Sequence, residues 1–173
     1  MSTAILIFAF IAVVHFVYES IVAPSWRMKL RNELFVLRDE VREEKIRGVS
    51  KADDEAFWFV HNGVNSFLSK LPSLTAWNQH LALEVLRADP ELRAVVNKRI
   101  ATIDQCTNDV VKSVFRRTVK VVEEAMVVNA GGWFVYLIPV ALLMATLGRL
   151  KRFASALVVA PEREAARLLP QQA

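Results

Sequence analysis

The chain has 173 residues, a formal net charge of +4 and a mean hydropathy of +0.29, and 54% of its residues are hydrophobic. Only 5 glycines and 6 prolines are present, which predicts long helices with short connections and argues against a many-stranded sheet. A lone cysteine, Cys106, excludes an intramolecular disulfide. In so apolar a chain, the basic charge favours membrane topology and anionic lipid over nucleic acid.

Two apolar segments of membrane length, residues 4–22 and 127–147, lie near the two ends of the chain. Each approaches the ~20 residues that a helix needs to cross a ~30 Å hydrocarbon core. The polar stretch between them cannot lie in lipid. We therefore predict an all-α protein in which two transmembrane helices flank a helical soluble domain. The predicted parts are a first transmembrane helix (1–23), a helical cytoplasmic domain (24–126), a second transmembrane helix (127–148), and an interfacial helix with a tail (149–173).

The charges near these segments predict the topology. No basic residue precedes the first segment, and cleavage after Ala23 would leave Pro24 at the new terminus, so we expect a retained anchor that ends near Pro24. More basic residues lie on the domain side, which predicts a cytoplasmic domain, external termini and a bacterial inner membrane. Arg149, Lys151 and Arg152 favour the reverse orientation, which stays open.

The domain begins with a predicted helix over residues 26–47. Its apolar residues follow a 4-3-4 spacing that places them on one stripe: Leu30, Leu34, Leu37 and Val41. Charged residues fill the remaining surface, but few of them form attractive i,i+4 pairs. We therefore expect this stripe to pack on another helix of the chain or on the same stripe of a second copy. It is our candidate helix-docking surface.

Capping signals divide the remainder of the domain. Ser50 and Ser73 are predicted N-caps, and the helix after Ser50 carries an unexplained Gly63. Asp89, followed by proline and glutamate, is the clearest helix start. The helix after Asp89 either breaks near residues 107–109 or runs on unbroken toward the second apolar segment, and both alternatives stay open.

His15 and Glu19 are the sharpest candidates for function, because they lie one helical turn apart on one face of the first span. A charge at the centre of a spanning helix costs about 2.5–3.5 kcal/mol, so such residues usually face a bundle interior or a wet cavity. Three interpretations stay open: an ion or proton path, recognition of a partner helix, or a structural role. In the last, neutral His15 bonds across a helix interface and Glu19 reaches the headgroups.

Pro139 in the second segment could kink that helix, and Trp26, Trp133 and Tyr136 fit an interfacial aromatic belt. A basic cluster is expected to touch anionic lipid or an acidic partner, and it consists of Lys112, Arg116, Arg117 and Lys120.

The residues offer no catalytic or cofactor signature. His80 and Glu84, with His61, match no known metal spacing, and no phosphate loop, nucleophile elbow or dinucleotide fingerprint is present. We expect no enzyme, cofactor, metal or small-molecule substrate. We favour an assembly or adaptor subunit whose domain docks a partner or further copies of itself. A homo-oligomeric pore lined by His15 and Glu19 is the alternative.

Overall fold

A computed structural model describes residues 2–130, 154–155 and 158–159 of the chain. Its described residues are helical and include no strand, which confirms the all-α prediction for this part of the chain. The helices are α1 (Ser2–Val17), α2 (Ala23–Gly48), α3 (Asp54–Lys70), α4 (Ala76–Ala88), α5 (Pro90–Gln105) and α6 (Asp109–Asn129), with a π-helical turn at Tyr18–Val22 and a 3-10 turn at Leu71–Ser73.

The first span and the first domain helix form one rod. Helix α1, the π turn and α2 run from Ser2 to Gly48 without a break, a length of roughly 70 Å at ~1.5 Å per residue. Pro24 cannot donate a backbone hydrogen bond inside a helix. The wider turn just before it gives the ring room, and the Ser25 hydroxyl donates to the Ile21 carbonyl at 2.7 Å. The expected end of the span at Pro24 is therefore not a break in the helix.

Helix α6 packs antiparallel to α2. Near the first turn of α2, Arg27 Nε donates to Asn129 Oδ1 at 2.6 Å, and at the far end Asn108 Nδ2 donates to Glu44 Oε1 at 2.8 Å. Helix α3 also packs on α2, and α4 and α5 complete the bundle. The core therefore has the apolar stripe of α2 at its centre.

Two of the four candidate helix boundaries are present. Asp89 Oδ1 accepts from the Leu92 amide at 2.9 Å and caps α5, as expected. The break near residues 107–109 is present, and there Asn108 Oδ1 accepts from the Val111 amide at 3.0 Å to cap α6.

The two serine caps are wrong. Ser73 ends the 3-10 turn, and Thr75 is the residue whose hydroxyl caps α4. Ser50 lies a turn too early, because α3 begins at Asp54; its hydroxyl instead accepts from the Asp53 amide at 3.2 Å. A turn over residues 51–53 separates Ser50 from α3, and the preceding residue Asp53 makes no side-chain cap hydrogen bond to that helix. Leu74 and Thr75 separate Ser73 from α4.

The described C-terminal residues pack on the domain. Ala154, Val158 and Val159 are at most 1% exposed. Val158 lies directly against Gly63 of α3, and Arg99 Nη1 of α5 donates to the Val159 carbonyl at 2.9 Å. The close approach explains the glycine inside α3, since a Cβ there would overlap the Val158 carbonyl oxygen.

Among the described residues, one helix is long and apolar enough to cross a bilayer. It covers Phe8–Gly48, and the mean hydropathy of its most apolar window is 1.6. The second predicted span, residues 127–148, lies outside the described residues from position 131 onward. Its first residues form the last turn of α6, where Val128 is buried at 7% exposure.

Candidate functional site

The surface of α1 is apolar and uncovered. Its large exposed side chains have relative exposures from 41% to 71%, and they are Ile5, Leu6, Phe8, Phe10, Val13, Phe16 and Val17. A soluble helical domain normally buries such a stripe. This helix exposes apolar residues around most of its circumference, as a lipid-facing helix does.

The predicted polar pair, His15 of α1 and Glu19 of the π turn, lies on a partly buried face of the rod. His15 and Glu19 share this face with Ile11, Val14 and Tyr18, at helical spacing. The Tyr18 hydroxyl donates to the Val128 carbonyl at 3.1 Å, so this face turns toward the end of α6. The structure therefore brings the predicted pair to the side of the helix that meets the remainder of the chain.

Asn129 joins three segments near the first turn of α2. Its side-chain oxygen accepts from Arg27 of α2, and its nitrogen donates to the Leu71 carbonyl at 2.7 Å, at the end of α3. The rod is thereby fixed to α3 and α6 beside the point where its exposed part begins.

The predicted docking stripe is buried by other helices of the same chain. Its four residues are 0% exposed in the core beneath α3 and α6, and they are Leu30, Leu34, Leu37 and Val41. Of the two partners considered for this stripe, another helix of the same chain is the one found. A protein partner needs a different surface.

The basic cluster lies along α6, far from the exposed part of the rod. Arg117 Nη1 lies 2.6 Å from Glu40 Oε2, which is about 20 Å further along α2 than Arg27. That distance is more than twice the ~8 Å Debye length at physiological salt. Lys112 and Lys120 lie 3.6 and 4.0 Å from acidic groups of their own helix, and Arg116 is exposed. Three of the four residues therefore have an acidic neighbour within the chain.

The candidate metal ligands do not converge. His80 Nε2 lies 3.4 Å from Glu84 Oε1 on the surface of α4, whereas His61 lies on α3. Within the described residues no group of three or more potential ligands is brought together.

A buried carboxylate, Asp53, ties two loops together. Asp53 is 4% exposed and accepts from the amide and the hydroxyl of Thr107 at 2.7 and 2.6 Å, and from the Ser50 hydroxyl at 2.9 Å. These donors, led by Thr107, hold the pKa of Asp53 well below its usual range although burial opposes them. The loop before α3 is thus locked to the loop before α6.

Cys106 lies beside this carboxylate and is 5% exposed. Burial raises the pKa of the thiol to about 11, and the neighbouring Asp53 adds to the effect. Because the thiolate is the reactive form, this cysteine is inert near neutral pH. Its role is to fill the loop junction.

An aromatic–basic patch, formed by Arg42, Lys45, Trp58 and His61, lies on α2 and α3. Trp58 is 46% exposed, and its ring lies edge-on to Phe57 and His61 at 5.2 and 5.4 Å. Lys45 Nζ lies 5.9 Å from the Trp58 ring, and Arg42 Nε donates to His61 Nε2 at 3.4 Å. The only signal in the sequence was that Trp58 falls off the apolar stripe of its helix.

Three predicted residues of the second segment, Trp133, Tyr136 and Pro139, lie outside the described residues. Trp26, the remaining member of the expected aromatic belt, is 45% exposed on α2. Comparison with protein-family models gives no match. Comparisons with curated proteins and with solved structures likewise give none.

Proposed function

We propose that the protein is a non-enzymatic, membrane-anchored assembly or adaptor subunit, in which α1 is held by the bilayer and the helical domain docks a protein partner. One observation carries this proposal. The uncovered apolar helix continues without interruption into α2, whose stripe is the centre of the domain core. An anchor built this way holds the domain at a fixed angle to the membrane.

The energetics of insertion favour the anchor. Residues 4–22 include roughly a dozen Phe, Ile, Leu and Val side chains, each worth about 0.3–0.6 kcal/mol on insertion, or about 4–7 kcal/mol together. A charged Glu19 at the bilayer centre would cost about 2.5–3.5 kcal/mol, and it lies toward one end of the segment. Net insertion is therefore favourable even with Glu19 charged.

We propose the aromatic–basic patch as the docking surface, because the α2 stripe is already buried. Tryptophan and arginine are enriched at the energetic centres of protein interfaces. Trp58 is half exposed and its ring packs edge-on against the stacked rings of Phe57 and His61, so little conformational entropy is lost when a partner covers it. The patch lies about 20 Å or more along α2 from Arg27, clear of the headgroups.

The cytoplasm of a bacterium is the proposed compartment of the domain, on the count of basic residues that follow the first span.

Docking is tested by cross-linking in native membranes. We expect Trp58→Ala to reduce the yield of a defined cross-linked species at least fivefold, since truncating an aromatic at an interface centre typically costs 1 kcal/mol or more. Trp77→Ala is the matched control, because Trp77 is also exposed, at 63%, but lies on α4. Equal loss in both variants, or loss in neither, would refute docking at this patch.

The homo-oligomeric pore remains the second candidate, supported by the partly buried His15 and Glu19 on one face of an otherwise exposed apolar helix. The one or two spans of a single chain cannot enclose a path, so a pore requires a discrete oligomer. The mass of the protein in detergent and its conductance in a planar bilayer separate the candidates. A monomer without current supports the adaptor; an oligomer whose current vanishes on replacing His15 and Glu19 by leucine supports the pore.

A further inference from the structure

One face of α3, together with Arg99 of α5, forms a seat for the C-terminal segment. Phe59 and Gly63 are four residues apart and therefore share this face. The Arg99 guanidinium lies 4.6 Å from the centre of the Phe59 ring, in cation–π geometry. The packed ring leaves the guanidinium only part of its hydration, and burial lowers the pKa of Arg99 from its ordinary value.

The described residues of the segment fit this seat closely. Val158 and Val159 are 1% exposed and Ala154 is 0% exposed. A Cβ at position 63 would overlap the Val158 carbonyl oxygen and lie 3.1 Å from Val158 Cγ1, so only glycine allows this approach. The Val159 carbonyl accepts from Arg99 Nη1 at 2.9 Å. Both apolar contact and a charged hydrogen bond therefore hold the segment.

The seat lies well away from the membrane-proximal end of the domain. Gly63 is half a helical turn from His61, which contacts Arg42, and Arg42 is about 20 Å along α2 from Arg27. The other end of the intervening chain is Ala130, which directly follows α6 and its contact with Arg27. Residues 130 and 154 thus both belong to the domain.

We propose that residues 154, 155, 158 and 159 belong to an intramolecular clasp, so that the chain between residues 130 and 154 begins and ends on the same side of the membrane. The side itself rests on the proposed insertion of α1. If the chain between residues 130 and 154 crossed the bilayer once, its two ends would lie ~30 Å apart on opposite faces. The seat at Gly63 and Arg99 holds the second end on the domain, so it does not allow a single crossing. With this clasp, the C-terminus lies on the same side of the membrane as the domain, and not on the external side that the sequence predicts.

Compartment labelling tests the sidedness. In a Cys106→Ser background, one variant carries Ala52→Cys in the exposed loop before α3, and a second carries a cysteine appended after Ala173. A membrane-impermeant maleimide is applied to intact cells and to inverted vesicles. We expect both cysteines to react in the same preparation. Reaction in opposite preparations overturns the clasp, whereas recovery of both variants in the soluble fraction refutes the anchor alone.

Hydrogen exchange in detergent tests the seat independently of the membrane. We expect Gly63→Val to accelerate exchange of the Val158 and Val159 amides about tenfold or more, because the added side chain displaces the segment. Ser69→Val, an exposed position of the same helix, should change them less than twofold. Slow exchange of the α6 amides in both variants shows that the bundle is intact. Unchanged protection of the segment in Gly63→Val overturns the proposal.

Discussion

Single residues decide how the loops of the domain are held. Asp53 is ionised and buried because three protein donors replace its water, and it connects two loops that are far apart in sequence. Such a carboxylate stabilises the fold only while it remains charged. Its neighbour Cys106 is kept protonated by the same burial.

The pH dependence of stability follows from the lowered pKa of Asp53. The unfolded pKa is about 3.9, so the stabilisation is fully present above about pH 5 and is lost as the pH falls through 3.9 toward the lower folded value. We expect Asp53→Asn to cost about 1–3 kcal/mol at pH 7 and to flatten the loss of stability between pH 5 and 3. Thermal unfolding of the wild type and the variant in mild detergent, repeated between pH 7 and pH 3, measures this loss of stability. Equal acid sensitivity in wild type and variant would contradict the assignment.

At the scale of the helices, the bundle depends on the stripe of α2. This face was evident from the 4-3-4 spacing of leucine and valine, since periodicity reports which side of a helix is buried. The spacing does not report what covers that side, and α3 and α6 are revealed only by the fold.

Truncating side chains on the buried and the exposed face of α2 should change the stability of the domain by different amounts. We expect Leu34→Ala, at a fully buried position, to destabilise the domain by about 2–5 kcal/mol through lost burial and a cavity. Val36→Ala removes a side chain that is 58% exposed and should cost less than about 0.5 kcal/mol. Thermal unfolding of the two variants compares them. Similar losses would mean that the stripe is not the core.

Sequence signals predicted the structure correctly where the interacting residues are close together in sequence. Asp89 with its following proline marks a helix start by itself, whereas Ser73 has the right residue type but ends a 3-10 turn two residues before the true cap, Thr75. Gly63 could not be interpreted from its neighbours, because its partner Val158 is distant in sequence. The aromatic–basic patch likewise depends on α2 and α3 coming together, which no single stretch of sequence encodes.

At the scale of the whole molecule, one helical rod has two chemically different parts. Its first part presents apolar side chains outward, and its second part presents charge outward and buries its apolar stripe. The change occurs near the π turn and Pro24, where Asn129 and Arg27 fix the rod to the bundle. An anchor of this kind transmits any tilt of α1 directly to the domain.

The most direct test of the membrane-anchored rod is spin labelling along it in lipid bilayers. Labels replace Val13, Phe16 and Val36, all exposed apolar residues of the one helix, in the Cys106→Ser background. We expect the first two to collide mainly with oxygen dissolved in lipid, and the label at position 36 to collide mainly with a water-soluble nickel chelate. Chelate-dominated collisions at positions 13 and 16 would contradict the membrane anchor.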